Sequence, residues 1–368
     1  MSNQLPHICF VAPTTFPMLA NKESIQIVGG AELQQVIIAK GLVRRGYPVS
    51  MICFDYGQED PCEIDGITVY KALRPNQGLP GLRFIWPRLT SFWTCLGRAN
   101  ADIYYQRAAS VLTGLTAAFC LRHGRKSIYA IAVDGDPQFR FRRDRWIFDY
   151  GIRHVDRLVA QNPNQQQYFK DRFGRDSILI PSIYNKANAL QAHAVRDNVL
   201  WVATIRERKR ADLFLDLAQA LPQYKFTMVG GPGVREHALF EAISQRAQRL
   251  NNVDFAGFIP YAEIDRYFDR AILFVSTSNK EGVPNTFMDA WARGVPTVSF
   301  FDSGARANGK PIGRIVGSIE EMTDAVADLL ENDAARSRFG EECRKYVESY
   351  HSPDRALDLY EEVFRSLL

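Results

Sequence analysis

The sequence predicts an α/β protein made of two doubly wound domains, and three observations lead to this fold class. The chain has 368 residues, more than one hydrophobic core usually organises, and its 46% hydrophobic and 23% charged residues are ordinary globular values. Short apolar, β-branched runs alternate with segments of helical periodicity, which is typical of parallel sheets covered on both faces. This alternation lapses over residues 181–197, as expected for an interdomain linker, and then begins again. We therefore predict domains at 1–190 and 191–350, with a final segment at 351–368.

The first domain opens with a predicted βαβ unit. An apolar run at 7–12 predicts a strand, a helix follows Gly29-Gly30, and Gly46 ends that helix before a strand at 49–54. The glycine pair would let the backbone approach a ligand closely, as glycine-rich loops do at phosphates, but a plain turn explains it equally well. Further strands are predicted at 67–70, 102–105, 127–133, 158–160 and 177–180.

The second domain repeats the alternation. Strands are predicted at 199–203, 225–229, 253–255, 272–275, 297–300 and 314–316, and helices at 211–221, 235–249, 261–269, 285–293, 319–331 and 333–349. Two such domains should place a cleft between them, at the carboxyl ends of both sheets. After Pro353 a last amphipathic helix has Ala356, Leu359, Tyr360 and Phe364 on one side, so it should pack on a neighbouring domain.

Charge and cysteine usage limit the class of protein and its partners. The net charge of +4 argues against a dedicated nucleic-acid binder but tolerates an anionic substrate. The six scattered cysteines include no CxxC pair and are expected to be buried, reduced thiols. The N-terminus does not resemble a signal peptide, and no window reaches 18 consecutive apolar residues. We therefore expect a cytoplasmic protein, for which peripheral attachment at the inner face of a membrane is still open.

Two segments of the first domain leave alternatives open. Residues 121–175 contain twelve Lys and Arg against six Asp and Glu. This excess predicts either a basic face toward a phosphorylated or membrane-borne acceptor, or solvated helix faces with internal ion pairs. The stretch 80–98 mixes aromatic residues with arginines, and it is expected to pack on the sheet as a helix, with lipid contact as the alternative.

Two loops at predicted strand ends of the second domain are candidates for anion binding, because open parallel sheets bind ligands there. The loop 204–210 contains four basic residues, among them Arg206 and Lys209, which could neutralise a diphosphate or could form a solvated connection. The loop 229–233 contains three glycines, including Gly231, which is a weaker signal.

A third candidate is the stretch 271–299, which reads as strand, turn, helix and strand. Glu281 lies in the turn and Asp289 lies one turn into the helix, whose N-terminus favours an anion. A phosphate could therefore lie between two acids that bind hydroxyl groups. The alternative for Asp289 is an ordinary residue on the helix surface.

Together these motifs resemble the retaining, nucleotide-sugar-dependent glycosyltransferases of family 4 (glycosyl transferases group 1). The resemblance runs nearly end to end, through Gly29-Gly30-Ala31-Glu32, the stretch 201–209, Met228-Val-Gly-Gly, and the stretch 281–289. The last stretch looks like the family's E-x7-E signature, with Asp289 in place of the second glutamate. The resemblance implies the GT-B fold, in which an acceptor-binding and a nucleotide-sugar-binding Rossmann-like domain face across a cleft and the C-terminal helix crosses back to the first domain.

The resemblance also implies a role for each matching residue. Arg206 and Lys209 would grip the donor diphosphate and stabilise its growing negative charge. Glu281 would hold hydroxyl groups of the donor sugar, and Asp289 would bind the ribose hydroxyls. The other expected donor contacts are Gly29, Gly30 and Gly231 at glycine-rich loops, Ile259 near the base, and Val283, Asn285 and Thr286 near the sugar and phosphates.

The implied activity is transfer of a sugar, in the EC 2.4 class, from a UDP- or GDP-sugar to a glycan, lipid-linked or small-molecule acceptor, as in polysaccharide biosynthesis. Fixed cations and a helix N-terminus would stabilise the departing diphosphate, so no metal or cofactor is expected. Asp134-Gly135-Asp136 looks like the metal-binding DxD of a different glycosyltransferase fold and so stands in the wrong context. Val133 takes the place at which many family members have a histidine. A non-catalytic nucleotide-sugar- or glycan-binding protein and a GT-B sugar-nucleotide epimerase are the alternatives.

Overall fold

The computed structural model describes residues 5–21, 29–75, 77, 84–184, 196–233, 236–307 and 309–368. The chain divides into two compact units, of which the first comprises Met1–Ile183 with Pro353–Leu368 and the second Tyr184–Ser352. The central part of the predicted linker, 185–195, lies outside the described residues, as do Val28, at the start of the glycine motif, and 80–83 of the aromatic stretch.

The strands and helices follow the alternation that the sequence predicts. The strands are β1 (Ile8–Val11), β2 (Val49–Cys53), β3 (Cys62–Ile64), β4 (Ile67–Lys71), β5 (Ile103–Arg107), β6 (Lys126–Ala130), β7 (Arg157–Ala160), β8 (Ile178–Leu179), β9 (Asn198–Val202), β10 (Lys225–Val229), β11 (Val253–Gly257), β12 (Ala271–Ser276), β13 (Thr297–Ser299), β14 (Arg306–Ala307), β15 (Lys310–Pro311) and β16 (Arg314–Ile315). The helices are α1 (Phe16–Leu19), α2 (Gly30–Arg44), α3 (Thr90–Ala99), α4 (Val111–His123), α5 (Arg142–His154), α6 (Pro163–Phe173), α7 (Ala211–Ala220), α8 (His237–Ala247), α9 (Asp265–Arg270), α10 (Asn285–Ala292), α11 (Ile319–Glu331), α12 (Asp333–Tyr350) and α13 (Pro353–Arg365).

Local sequence chemistry sets several helix ends. Ser110 and Asn162 accept backbone N–H groups of the first turns of α4 and α6, and Ser318 and Asn332 do the same for α11 and α12. Pro163 begins α6, where its missing N–H costs nothing.

The first unit is built on an eight-stranded sheet in the order β3-β4-β2-β1-β5-β6-β7-β8. All neighbours are parallel except β3 and β4. The chain runs from β1 to β2, β3 and β4 on one side of β1 and then crosses to β5 on the other side, so the carboxyl ends of β1 and β5 form the switch point at which open α/β sheets bind ligands.

The final helix α13 packs on the first unit, in agreement with the predicted return of the chain. Its apolar side, which includes Leu357 and Phe364, is buried in the same core as β1, β2 and α2. The Tyr360 hydroxyl lies 3.1 Å from that of Tyr105 on β5, and Arg45 at the end of α2 contacts Asp358 at 2.6 Å. A Cβ on Gly41 would come within 2.7 Å of Leu357, so glycine lets α2 and α13 approach closely.

The second unit has a fully parallel six-stranded sheet in the order β11-β10-β9-β12-β13-β16, with apolar cores on both faces. β12 lies directly beside β9, although β10 and β11 separate them in the chain. β14 and β15 form a separate antiparallel pair. The prediction of two doubly wound α/β domains is confirmed by these two sheets.

Two predicted elements need correction, and β3 is among the elements that the sequence analysis missed. The strand predicted at 127–133 ends at Ala130, before a turn at Gly135, whose φ is 79°. The helix predicted at 261–269 is a 3-10 turn, Tyr261–Glu263, followed by the short helix α9. The short strand β3 was not predicted, although Asp65-Gly66, with φ values of 50° and 76°, is the hairpin signal that could have revealed it.

The cysteines and the stretch 80–98 follow their expected behaviour where they are described. All six cysteines are free thiols, and all but the half-buried Cys62 are buried. Within 80–98, the helix α3 buries Phe92 and Leu96 against the first sheet, so sheet packing is the correct interpretation for the described part.

Candidate functional site

The basic loop 204–210 of the second unit follows β9, and backbone contacts and turns determine its conformation. Ile205 bridges to Pro232 in the glycine-containing loop after β10, and Gly233 N–H donates to the Ile205 carbonyl at 2.9 Å. A 3-10 turn at Glu207–Lys209 and a left-handed Arg210, with φ of 49°, then turn the chain into α7. The tight turns make consecutive basic side chains diverge, so only some of them can meet at one site.

Glu281 contacts two of these cations, Lys209 and Arg208, at the carboxyl ends of β9 and β12. Lys209 Nζ lies 2.5 Å from Glu281 Oε1, and Arg208 Nη1 lies 2.7 Å from the same oxygen. Glu281 Oε2 makes no hydrogen bond or ion pair with any residue that the structure describes. The Glu281 carboxylate is nearly buried, and these two cations compensate for its removal from water.

The two cations differ in burial. The Lys209 side chain is 17% exposed and that of Arg208 is 44% exposed. Burial lowers the pKa of Lys209; the charge of Glu281 opposes this shift and that of Arg208 adds to it. Lys209 is therefore a desolvated ammonium group whose charge acts strongly on a nearby anion.

Side chains and backbone groups from the turn after β12 position the basic loop. Thr277 Oγ1 donates to the Lys209 carbonyl at 2.7 Å and accepts from the buried Trp201 indole N–H at 3.0 Å. Asn279 N–H donates to the Arg208 carbonyl, and Asn279 Oδ1 accepts from Arg210. Sequence reasoning missed these positioning roles. The sequence does contain one indication of these roles, because the basic loop and the turn before α10 both follow strands of a parallel sheet. If those two strands were neighbours, the loop and the turn would lie side by side.

Arg206 does not contact Glu281, although its charge contributes to lowering the pKa of Lys209. Its side chain is exposed and makes no hydrogen bond or ion pair with the described residues. Arg208, three residues before α7, takes the place beside Glu281 that the sequence analysis did not assign to it.

The N-terminus of α10 follows Glu281 within four residues. Pro284 precedes the helix, and Val283, Asn285 and Thr286 are buried or half-buried. The first N–H groups of a helix have no acceptor within it, and the helix dipole adds a partial positive charge there. Glu281, Lys209 and this helix end therefore form one polar surface suited to an anion that also carries hydroxyl groups.

Asp289 lies inside the unit rather than on a helix surface. It is 2% exposed, so the interpretation of Asp289 as a surface residue is wrong. Its carboxylate lies 4.0 Å from Arg293 Nη1, and Arg293 also contacts Asp265 and Asp269 at 2.7 Å each. Burial alone would lower the pKa of Arg293, but Asp269, Asp265 and Asp289 together raise it.

The phenol groups of Tyr184 and Tyr261 lie near enough to Asp289 for its charge to affect them. Burial raises the pKa of both tyrosines, and the charge of Asp289 raises it further. Tyr261 follows Ile259 by two residues, so the predicted base and ribose positions lie on neighbouring parts of the second unit. Ile259 itself is half-buried at the edge of the core that contains α10.

The glycines of the candidate loops meet different neighbours. A Cβ on Gly230 would lie 2.1 Å from the Ala203 carbonyl oxygen, so this glycine is required by packing. On Gly231 a Cβ would lie 3.0 Å from Phe258. Gly29 precedes α2 with φ of −109°, and a Cβ there would meet the end of the Glu32 side chain at 1.9 Å. Gly30 is the first residue of α2.

In the first unit, Asp134 and Asp136 are occupied by protein partners. Asp134 accepts from Gln165 at 2.7 Å and from Asn162 at 3.1 Å. Asp136 accepts from Arg145 at 2.6 Å, which holds the pKa of Asp136 below its ordinary value. Over the described ranges, no group of three or more His, Cys, Asp and Glu residues is arranged to hold a metal ion. Val133 is exposed in the loop that follows β6.

Comparison with known families finds a match to one segment in each unit. Residues 29–182 match the family described as "Glycosyl transferase 4-like domain", and residues 196–332 match "Glycosyl transferases group 1". The poly(glycerol-phosphate) alpha-glucosyltransferase of Bacillus subtilis is 29% identical over 145 residues, which are 38% of this chain and 21% of that protein. The amylovoran biosynthesis glycosyltransferase AmsK of Erwinia amylovora is 33% identical over 116 residues, 29% of this chain and 28% of that protein. These matches therefore span less than a third of either relative.

Solved structures share the fold over nearly the whole chain. Sucrose-phosphate synthase from Thermosynechococcus elongatus superimposes with a TM-score of 0.78 at 16% identity, covering 98% of this chain and 99% of that one. HepE of Anabaena, solved in complex with UDP and glucose, gives a TM-score of 0.76 at 18% identity over 98% and 100% of the two chains. WaaG, a glycosyltransferase involved in lipopolysaccharide biosynthesis, gives 0.69 at 17% identity over 96% and 99%. At these identities the likeness shows the GT-B fold alone.

Proposed function

The chain contains a Glycosyl transferase 4-like domain and a Glycosyl transferases group 1 domain, and from this premise we propose that it is a retaining glycosyltransferase of family 4 that uses a nucleotide-sugar donor. The second unit would bind the donor and the first unit the acceptor. The observation that supports this most strongly is the joint placement of Lys209, Arg208 and Glu281 beside the N-terminus of α10.

The proposed reaction breaks the bond between the anomeric carbon and the diphosphate oxygen. Negative charge then grows on the leaving diphosphate, and fixed cations near it stabilise the transition state more than the ground state. Lys209, Arg208 and Arg206 would provide these cations, together with the first N–H groups of α10. The acceptor hydroxyl oxygen bonds to the anomeric carbon on the same face, and its proton passes to an oxygen of the departing phosphate. Charge and atoms balance without a protein nucleophile or a metal ion.

Glu281 has two parts in this proposal. Its Oε1 orients Lys209 and Arg208, and its Oε2 would accept hydroxyl groups of the donor sugar. Because both cations contact Oε1, Oε2 is left to accept charge-assisted hydrogen bonds. Asp289, buried beside Arg293, would accept the ribose hydroxyls after a small adjustment of its side chain.

The relatives suggest which substrates to test first. HepE was solved with UDP and UDP-glucose, so UDP-sugars are the first donors, with GDP-sugars second. The two curated relatives are named for a poly(glycerol phosphate) acceptor and for amylovoran biosynthesis. We therefore propose a glycan or a lipid-linked acceptor used in polysaccharide biosynthesis, with peripheral contact to a membrane at its cytoplasmic face.

The test is transfer by the full chain with a panel of UDP-, GDP- and ADP-sugars. Donor binding is measured first by thermal shift, because a ligand that binds the folded state stabilises it. Release of nucleoside diphosphate and the anomeric configuration of the product are then followed by NMR. A product with the configuration of the donor is expected, and addition of a chelator should leave the rate unchanged.

Four other results would contradict the proposal in different ways. Binding of a nucleotide sugar without release of nucleoside diphosphate under any acceptor would indicate a non-catalytic binding protein. Conversion of the donor to its epimer would indicate an epimerase. An inverted product, or loss of activity with chelator, would overturn the retaining or the metal-independent part of the mechanism.

A further inference from the structure

The helix α5 of the first unit turns an aromatic and basic face to solvent. Arg142, Trp146, Tyr150 and Arg153 follow one another at helical spacing, and all are exposed. Trp146 is 80% exposed, the largest value among the exposed large hydrophobic residues of the described chain. Phe141, which precedes the helix, is also exposed. Large aromatic side chains at such exposure are unusual unless they meet a partner.

This orientation of α5 is fixed by packing on its other side. Phe148 and Ile152 are buried in the core beside β6 and β7. A Cβ on Gly151 would lie 2.6 Å from the Gly114 backbone nitrogen on α4, so the two helices touch through their glycines. Rotating Trp146 inward would break this contact, and the exposed face is therefore a stable feature of the fold.

The charge on this helix is positive and concentrated at the exposed face. Residues 140–154 contain five arginines and two aspartates, a net charge of +3, against +4 for the whole chain. Asp149 is engaged by Arg145 at 2.8 Å and by Arg172 at 3.4 Å, and Asp144 is contacted by Arg143 at 3.2 Å.

Several arginines also lie close to aromatic residues of this segment. Arg140 and Arg143 lie over the Phe141 ring, with 5.3 and 5.1 Å between each guanidinium and the ring centroid. Arg142 precedes Trp146 and Arg153 follows Tyr150 along the helix, and neither makes an ion pair with an acid in the described residues; the Arg153 guanidinium lies 5.5 Å from the centroid of the Phe173 ring. Internal ion pairs thus account for Arg143, Arg145 and Arg172 but leave Arg142 and Arg153, on the same face as Trp146, without an acidic partner among the described residues.

We propose that this surface of α5, formed by Phe141, Arg142, Trp146, Tyr150 and Arg153, docks the protein on a lipid bilayer with anionic headgroups. Trp and Tyr side chains favour the boundary between headgroups and acyl chains, and arginines there pair with lipid phosphates. A soluble polyanion would satisfy the arginines but would leave the Trp146 ring in water. No helix in the described ranges is long and apolar enough to cross a membrane, so this contact would be peripheral. The inference extends the membrane contact in the proposed function to a defined surface, and it can be tested without any transferase activity.

The experiment is co-sedimentation of the full chain with vesicles of phosphatidylcholine alone or with about one third phosphatidylglycerol, at low and high salt. Binding is expected only to the anionic vesicles and should weaken with salt. Trp146→Ala should reduce the partition coefficient at least about fivefold, and Arg142→Ser with Arg153→Ser should reduce it about tenfold or more, since each arginine near such a surface contributes roughly a fivefold factor. Vesicles with brominated lipid should quench the fluorescence of the wild type more than that of Trp146→Phe.

The matched control is Leu121→Ser, which removes an exposed apolar side chain from the end of α4 in the same unit. This variant should bind as the wild type does, and circular dichroism should show that all variants are folded. Equal binding of Trp146→Ala and the wild type would overturn the proposal, as would equal binding to neutral vesicles. So would a wild-type dimer that Trp146→Ala converts to a monomer, because the face would then contact a second copy. Failure of transfer with intact vesicle binding would overturn the proposed function and leave this inference standing.

Discussion

Replacing Lys209 by alanine is expected to lower kcat by about a hundredfold to a thousandfold. The ammonium group is mostly buried and is held 2.5 Å from Glu281 Oε1, so in the proposed mechanism it would meet the donor diphosphate in a fixed position. A unit charge about 4 Å from a phosphate oxygen contributes roughly 4 kcal/mol at an effective dielectric constant of about 20. Removal of one donor that stabilises transition-state charge costs about 2.7–4 kcal/mol in kcat. The Coulomb energy and the mutational range therefore agree on the expected loss of kcat.

Two further variants test whether the loss of kcat is specific to the buried Lys209 ammonium group or follows from removing any positive charge of this unit. Arg208 contacts the same Glu281 oxygen but is 44% exposed, so water and salt screen it and Arg208→Ala should cost about tenfold or less. Lys225→Ala is the matched control, because Lys225 is a lysine of the same unit that pairs with Asp197 at 3.2 Å while remaining 74% exposed. It should keep the wild-type rate, as surface ion pairs contribute little.

The assay is release of nucleoside diphosphate under saturating donor, together with the unfolding midpoint of each variant. Lys209→Ala leaves Glu281 with Arg208 as a partner, so the protein should remain folded although less stable. If folded Lys209→Ala retained a kcat within about threefold of wild type, the ammonium group would not act on the leaving group and the mechanism would be wrong.

Three further predictions concern the same site. Because burial lowers the pKa of Lys209, kcat/KM should fall at alkaline pH with a pKa below the 10.5 of an ordinary lysine. Lys209→Arg should move this alkaline decrease to higher pH. A wild-type kcat/KM that does not change at alkaline pH would contradict the prediction. Asp289→Glu should retain activity if the side chain reaches the ribose, whereas complete loss in a folded variant, checked by thermal unfolding, would show that the pocket is built around the shorter acid. Gly29→Ala should barely change the unfolding midpoint, since the new Cβ displaces only the end of the Glu32 side chain. If the backbone at Gly29 approaches a phosphate, the same variant should raise the KM for the donor. An unchanged KM would favour the interpretation of Gly29-Gly30 as a plain turn.

Much of the fold could be predicted from local patterns. The predicted bounds of β10, at 225–229, and of α11, at 319–331, coincide with the observed elements, because apolar runs and capping residues act over only a few positions. The elements that were predicted wrongly or missed also have causes in the local sequence. The strand β3 is short and half-exposed, so its apolar signal is weak, and the 261–269 segment has too few turns to favour one helix.

The candidate site could be predicted only in part. Composition and position at strand ends singled out the basic loop, Glu281 and Asp289, while the roles of Arg206, Lys209, Glu281 and Asp289 are still predictions. Arg208 and Thr277 were missed because their importance rests on contacts with residues about 70 positions away in the chain.

By itself, the sequence determined two α/β domains, the strand ends at which charges collect, and a net positive segment in the first domain. Only the tertiary structure decided which charges meet. β12 inserts beside β9, which brings Glu281 to Lys209 and Arg208 and leaves Arg206 in solvent. The tertiary structure likewise buries Asp289 with Arg293 and turns Trp146 outward. The physical reason is that periodicity fixes the side of an element that is apolar, whereas strand order and helix packing determine which polar side chains share a desolvated space.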